Sequence, residues 1–319
     1  MLQSLFGLFY VSAVSQLVTL TGTQAECPIK FNPPSVVVEY GSSVSVNCST
    51  DVTHDGMGWE ANVGGVPMTT DKLITWRVSN LRQWDIRPQC YINYNRTQCK
   101  TYLPITIYKT PDNVTISTVD HTGPMTERSP YKLQCDIMNV APKNVTVKWF
   151  KGETEVKTET FNDFIKTPGN VRSTLNITAV RDDDRVQYRC EAELKLGADG
   201  PQPPPKVTSN PFQITVQYSP KHTQVNEIIT KTDGEITLNC TVAANPPATY
   251  SWSSKHLKET NNSAVLSSST LTPGNYTCTA TNTLGKSQKR FFINSGGSRI
   301  TFMVNLTFLQ LLVALRIVM

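Results

Sequence analysis

The chain predicts an all-β protein, three tandem two-sheet sandwiches in a rod, and three observations carry that expectation. The first is a repeated grammar of cysteine, tryptophan and second cysteine: Cys135, Trp149 and Cys190, then Cys240, Trp252 and Cys278. The second is strand-period alternation in short runs, among them Tyr131 to Asp136, Val145 to Phe150, Thr174 to Val180, Ile236 to Val242 and Ala264 to Leu271. The third is turn chemistry at the joints, Thr110-Pro111-Asp112 and Tyr218-Ser219-Pro220, each too short for a flexible linker. Charged residues are 17% and apolar residues 39% of 319, with a formal charge of +5. That balance suits extracellular β modules. With no run of Lys or Arg, nucleic acid is not an expected partner.

The grammar is that of the immunoglobulin-like sandwich. Its cysteines staple the two sheets, the tryptophan packs on the disulfide, and a tyrosine two residues before the second cysteine makes a corner. Tyr188 and Tyr276 stand at that place. Trp149, Trp252, Tyr188 and Tyr276 are therefore read as core and not as site, with Cys135 paired to Cys190 and Cys240 to Cys278.

Taken in order, residues 1–25 read as a cleaved signal peptide. Leu5 to Leu20 is mostly apolar and short, and Thr23-Gln24-Ala25 offers the small residues a cleaving protease needs, although no basic residue precedes the run. Export leaves eight cysteines in the mature chain, where disulfides persist.

Residues 26–109 form the first immunoglobulin-like domain, and here the pattern bends. Cys48 follows a clear strand, Val44-Ser45-Val46-Asn47, and should pair with Cys90, which has no tyrosine corner before it. Cys27 and Cys99 flank the module and would tie its first strand to its last. Four cysteines allow three pairings, so this is an inference from topology. Residues 110–218 form the second domain, with a proline-rich excursion at Gly197 to Lys206 that is expected to be an exposed, extended loop. Residues 219–294 form the third, a compact spacer of C2 or I type. Residues 295–319 form a C-terminal apolar anchor segment. Small residues around Gly296-Gly297 before the apolar run fit a GPI-anchor signal, and a single-pass transmembrane helix is the alternative. Either would place the domains on the extracellular face of the plasma membrane.

Sequons make the chain a glycoprotein in expectation, with Asn95, Asn113, Asn144, Asn176, Asn261 and Asn275 as the acceptors. Asn47 and Asn239, beside cysteines, are set apart from these.

The first two modules also resemble a known family. Cys27-Pro28, Val36 to Val44 (VVVEYGSSV), Val46-Asn47-Cys48-Ser49-Thr50, Val78-Ser79-Asn80-Leu81 and Pro88-Gln89-Cys90-Tyr91 are similar to the first domain of intercellular adhesion molecules. The junction Tyr108 to Val114 and the run Tyr188 to Leu194 continue the likeness, which covers about residues 27–218. In that family an acidic residue at the end of the third strand, after a glycine and an apolar residue, binds the divalent cation of a leukocyte integrin's inserted domain. Gly58-Trp59-Glu60 occupies that place, so the resemblance implies Glu60 as the integrin-binding residue, ligating the partner's Mg²⁺. The protein would need no cofactor or metal of its own. Two departures stand out. Val52 and Tyr94 occupy the places of the family's second disulfide, and the run after the acid, Ala61-Asn62-Val63-Gly64-Gly65, is looser than the family's.

A hard cation one ligand short accepts an outside carboxylate, and a glutamate at a rigid strand end can supply it. Trp59, eleven residues after Cys48, is read as the core tryptophan in preference to an exposed aromatic. Strand alternation then turns Glu60 outward. The plain alternative is a solvated acid of no special role. Asp182-Asp183-Asp184 reads as a solvated turn, and His54, His121, His222 and His256 show no metal spacing. Trp76, Arg82 and Trp84 form either an exposed patch or part of a small core. No catalytic motif appears. The expected function is adhesion through an integrin partner. A homophilic lipid-anchored adhesion protein and an immune receptor or decoy are the rivals, and a homodimer is left open.

Overall fold

The computed structural model describes residues 27–295, apart from 164, 232–233 and 258–260. The expected signal peptide and, beyond Ser295, the expected anchor segment lie outside the described residues. No helix among those described is long and apolar enough to cross a membrane. The fold is all-β and immunoglobulin-like, with a single 3₁₀ turn at Arg181–Asp183 as the helical element among the described residues. The chain divides into two compact units. One runs to Lys109 and includes Leu196–Pro204; the other comprises Thr110–Lys195 and the residues from Pro205 onward.

In the first unit a sheet of Lys30–Asn32, Val44–Ser49 and Leu73–Val78 faces a sheet ordered Val66–Thr69, Gly56–Glu60, Gln89–Tyr94, Thr97–Tyr102. Val36–Glu39 pairs in parallel with Ile105–Tyr108. The burial of Val44–Ser49 alternates, sending Val44, Val46 and Cys48 inward, as a half-buried strand requires. Disulfides join Cys48 to Cys90 and Cys27 to Cys99. The Cys27–Cys99 bond spans 72 residues, and closing a loop of that length removes about 4–5 kcal/mol worth of unfolded-chain freedom.

Trp59 is core, as expected, and Trp76, whose place the sequence left open, is core beside it. They are 2% and 0% exposed, and their rings meet at 6.0 Å in the core. Trp84 is half-buried and stacks on Tyr40 at 4.4 Å, whereas Arg82 is exposed and bonds Asn80. These residues form no exposed aromatic and basic patch.

The proline-rich excursion is shorter than expected, because Lys206–Thr208 pairs with Glu191–Glu193 as a strand. The remainder is not simply solvated. Leu196–Pro204 groups with the first unit, where the Ser35 hydroxyl donates to Asp199 at 2.5 Å and Gly200 is buried.

The second unit holds two further sets of sheets. In the first set, Asn113–Thr118, Pro130–Val140 and Gly169–Thr178 oppose Thr154–Asp163, Lys143–Lys151, Gln187–Leu194 and Lys206–Thr208, with Cys135 bonded to Cys190. In the other, Ile236–Asn239 with Val265–Ser268 opposes Asn226–Thr230, Gly285–Asn294, Gly274–Asn282 and Thr249–Ser253, with Cys240 bonded to Cys278. Tyr276 donates its hydroxyl to the Thr272 carbonyl at 3.0 Å, closing a corner four residues upstream. Tyr188 is buried, and that burial, with Asp183 nearby, pushes its phenol up to about 12.

The aspartate run departs from a solvated turn. Asp183 is 3% exposed and ion-paired with Lys151, while Asp184 accepts the Val216 amide at 2.8 Å. Only Asp182 faces solvent. The run packs because the turn folds back on the strands it connects, and buried carboxylates then require partners.

Candidate functional site

The candidate site is the outer face of the strand Gly56–Glu60. Met57 and Trp59 point inward and are fully packed, so alternation sends Gly56, Gly58 and Glu60 outward. The two glycines make this face flat. A Cβ on Gly58 would lie 2.6 Å from the Tyr91 hydroxyl, and one on Gly56 would lie 2.6 Å from the Met68 side chain. Tyr91 and Met68 therefore lie across the glycines, burying them, and Glu60 emerges exposed at the strand's end.

Glu60 lies opposite Gln89, which lies opposite Tyr102 on the next strand. The Gln89 amide donates to the Glu60 carboxylate through a short hydrogen bond. The Gln89 side-chain oxygen is buried and has no hydrogen-bond partner among the described residues. The outer face of the strand is aromatic and apolar as well as polar: Met68, lying over Gly56 at the far end from the acid, is 57% exposed, and Tyr102, across from Gln89, is 55% exposed. An exposed carboxylate set among such side chains is what a partner supplying a cation and an apolar rim would meet.

The loop that follows is held more firmly than its composition implied. The buried Trp76 indole donates to the Val63 carbonyl at 2.9 Å. Gly64 has φ +73, and a Cβ there would lie 2.6 Å from the Arg77 carbonyl, so only glycine fits. The run Ala61 to Gly65 is thus anchored at its centre.

Sequence reasoning named Glu60 but missed Gln89, Tyr91 and Tyr102 beside it and Met68 farther along the same face. One signal was available. Gln89 directly precedes Cys90, and the core tryptophan lies opposite that cysteine, so the residue after Trp59 must face the residue before Cys90.

The sequon asparagines divide by exposure. Asn95, Asn113, Asn176 and Asn275 are exposed; Asn144 and Asn261 are half-buried, and the Asn144 amide nitrogen donates to the Lys195 carbonyl at 3.0 Å.

These features define a protein of several immunoglobulin domains, displaying one acidic residue from the glycine-rich strand of its first. Immunoglobulin domain models match residues 111–193 and 220–294, and the model of the intercellular adhesion molecule (ICAM) N-terminal domain matches residues 24–113. Intercellular adhesion molecule 1 of Pan troglodytes is 31% identical over 181 residues, covering 54% of this chain and 31% of that protein. The Homo sapiens protein of that name is 28% identical over 180 residues, covering 53% and 31%. The chain thus spans about a third of the length of these relatives. The three-domain ectodomain of mouse nectin-like molecule 4 superposes with a TM-score of 0.56 at 18% identity, covering 83% of this chain and 98% of that one, and shows the fold alone. The chain thus carries two immunoglobulin domains behind an N-terminal domain that matches the intercellular adhesion molecule type.

Proposed function

We propose that the protein is a cell-surface adhesion glycoprotein of three immunoglobulin-like domains, 26–109, 110–218 and 219–294, whose first domain binds a leukocyte-type integrin through Glu60. The observation that supports this best is the display of Glu60. Trp59 fixes the strand in the core, the glycines keep its outer face flat, and the carboxylate stands exposed at the end.

The mechanism is metal bridging. A Mg²⁺ held by the partner takes the Glu60 carboxylate as its missing oxygen ligand, and the Gln89 amide orients that carboxylate from the opposite strand. Tyr91 and Tyr102 supply the surface that excludes water beside the bridge, and Met68 extends that face toward the other end of the strand. No bond of either protein is made or broken. The reading places the domains on the extracellular face of the plasma membrane, glycosylated at the exposed sequons. Clustering there would raise weak single contacts to firm adhesion.

The test displays the full chain on cells and measures binding of recombinant integrin inserted domains, locked open, in Mg²⁺ and in chelator. Glu60→Gln keeps the shape and removes the charge. We expect the substitution and the chelator each to lower binding by about a hundredfold, the scale of a lost charged ligand. Binding that survives Glu60→Gln would move the contact elsewhere. No binding to any inserted domain would end the integrin reading.

A further inference from the structure

A second feature of the structure lies far along the chain from Glu60. In the second unit an open cavity of about 490 Å³ is lined by Glu127, Arg128, Arg181, Tyr218, Lys221 and Lys286, together with hydroxyl-bearing and backbone groups. We propose that this groove binds a sulfated polysaccharide of the glycosaminoglycan type.

Charge carries the argument. Four cations line the groove against one carboxylate. That carboxylate is already committed: Arg181 grips Glu127 with two hydrogen bonds, Nε to Oε1 at 2.9 Å and Nη2 to Oε2 at 3.1 Å. The Arg181 guanidinium also lies 5.1 Å from the centre of the Tyr218 ring. This pair forms a fixed and nearly neutral wall. Arg128, Lys221 and Lys286 are all exposed at the rim, and among the described residues no carboxylate lies within ion-pair distance of them. Their charges add without cancellation, which disfavours the empty groove and favours an anion in it. The effect reaches inside. The Arg181 hydrogen bonds chiefly hold the Glu127 carboxyl below its ordinary range, and the fields of Arg128 and Lys221 add to them.

The groove is also preformed. Tyr218 and Asn245 exchange backbone hydrogen bonds at 2.7 and 3.1 Å. The Asn282 amide donates to the carbonyls of Tyr218 and Pro246 at 2.9 and 3.0 Å. Arg128 is held with φ +67, in the left-handed region, where a residue with a side chain is strained and a glycine is not. An arginine therefore stands where the backbone would be more relaxed without a side chain.

The lining selects the ligand class. Thr126, Ser219 and Ser287 add hydroxyls, and the groove is open and mostly polar, so it suits an extended and multiply charged chain better than a compact apolar molecule. Lysine offers a point charge that fits a sulfate as well as a phosphate. Four disulfides mark an oxidising, extracellular setting, where sulfated glycans supply such chains. The inference shares that setting with the adhesion reading but does not depend on Glu60.

The experiment displays the full chain on cells lacking their own glycosaminoglycans and titrates a fluorescent, fully sulfated heparin dodecasaccharide. The variant is Arg128→Gly/Lys221→Gln/Lys286→Gln, whose glycine relieves the backbone while removing a charge. The control, Arg96→Gln/Lys166→Gln/Lys255→Gln, removes equal charge elsewhere. Surface amounts are matched with an antibody to a terminal tag. Binding should fall about tenfold or more in the groove variant, stay within about twofold in the control, and weaken with salt. Desulfated oligosaccharide should not bind. Equal losses in both variants, no binding by the parent, or tighter binding of phosphatidylserine vesicles than of the oligosaccharide would each overturn the proposal. Integrin binding through Glu60, measured on the same cells, should be unchanged, so failure of one reading is visible apart from the other.

Discussion

Two strands of this chain use the same scaffold for different ends. Gly56–Glu60 and Lys143–Lys151 each place a tryptophan opposite the second cysteine of a disulfide, Trp59 across from Cys90 and Trp149 across from Cys190. Both indoles are buried. The next residue on each strand faces the residue before that cysteine, and there the two diverge. In the first unit the pair is Glu60 with Gln89, and the acid is left exposed. In the second it is Phe150 with Arg189, whose guanidinium sits 3.9 Å from the ring centre. One scaffold leaves a charge available and the other closes its surface with a cation–π contact. The strands' other outward positions follow suit: glycines at 56 and 58, but Thr146 and Lys148 in the second. The inward face sets the fold, and the outward face is free to differ.

The largest expected effect tests whether the two tryptophans are equivalent. Trp59→Ala and Trp149→Ala should each destabilise their unit by about 3–5 kcal/mol, since each empties a packed site beside a disulfide. Calorimetry of the two variants would show it. Only Trp59→Ala should also remove Glu60-dependent binding. If Trp149→Ala removed it equally, the display of Glu60 would not belong to the first unit's strand.

A smaller effect separates the two indoles by their polar ends. Trp149 Nε1 donates to the buried Ser173 hydroxyl at 3.0 Å, and that hydroxyl donates to Glu159 at 2.6 Å. Trp59 Nε1 has only a long contact to the Ile74 carbonyl, at 3.5 Å. Ser173→Ala should therefore cost about 1–3 kcal/mol by leaving a buried donor unpaired. The Ser173 hydrogen bond, with help from Lys157, holds the Glu159 carboxyl below its ordinary value of 4.5. A group depressed in the folded state stabilises it above the unfolded pKa and loses that contribution as pH falls through the folded pKa. The second unit should thus weaken on acidification below about pH 4.5, and Ser173→Ala should shrink that loss. A parent and variant with the same acid unfolding profile would show that the relay carries no stability.

Much of this architecture is legible in the chain itself. The tryptophan and cysteine spacings specify which strands pair, so the core positions of Trp149 and Trp252 and the outward turn of Glu60 follow from residue order. What does not follow depends on contacts distant in sequence. Whether Trp76 is core or surface turns on the Val63 carbonyl, reached only once the loop after Glu60 folds back. The packing of Asp183 depends on Lys151, and the placement of Leu196–Pro204 on Ser35, more than a hundred residues away. Gln89 could have been found by register alone. Tyr102 and Met68 required knowing which strands flank that pair.

The smallest expected effect is also the one that makes the others interpretable. Glu60→Gln should change the stability of the first unit by less than about 0.5 kcal/mol, as substitutions at exposed positions away from packed features do. The local chemistry explains why. Among the described residues Glu60 holds one side-chain hydrogen bond, from the Gln89 amide, and a glutamine oxygen accepts that bond as well. Its new NH₂ group can in addition serve the Gln89 oxygen, which is buried and lacks a partner. Urea unfolding of parent and variant would measure the difference. A loss well above the expected value would mean that the carboxylate supports the strand end, and a fall in integrin binding could then come from a misplaced strand. An unchanged midpoint joined to lost binding would leave the charge itself as what the partner requires.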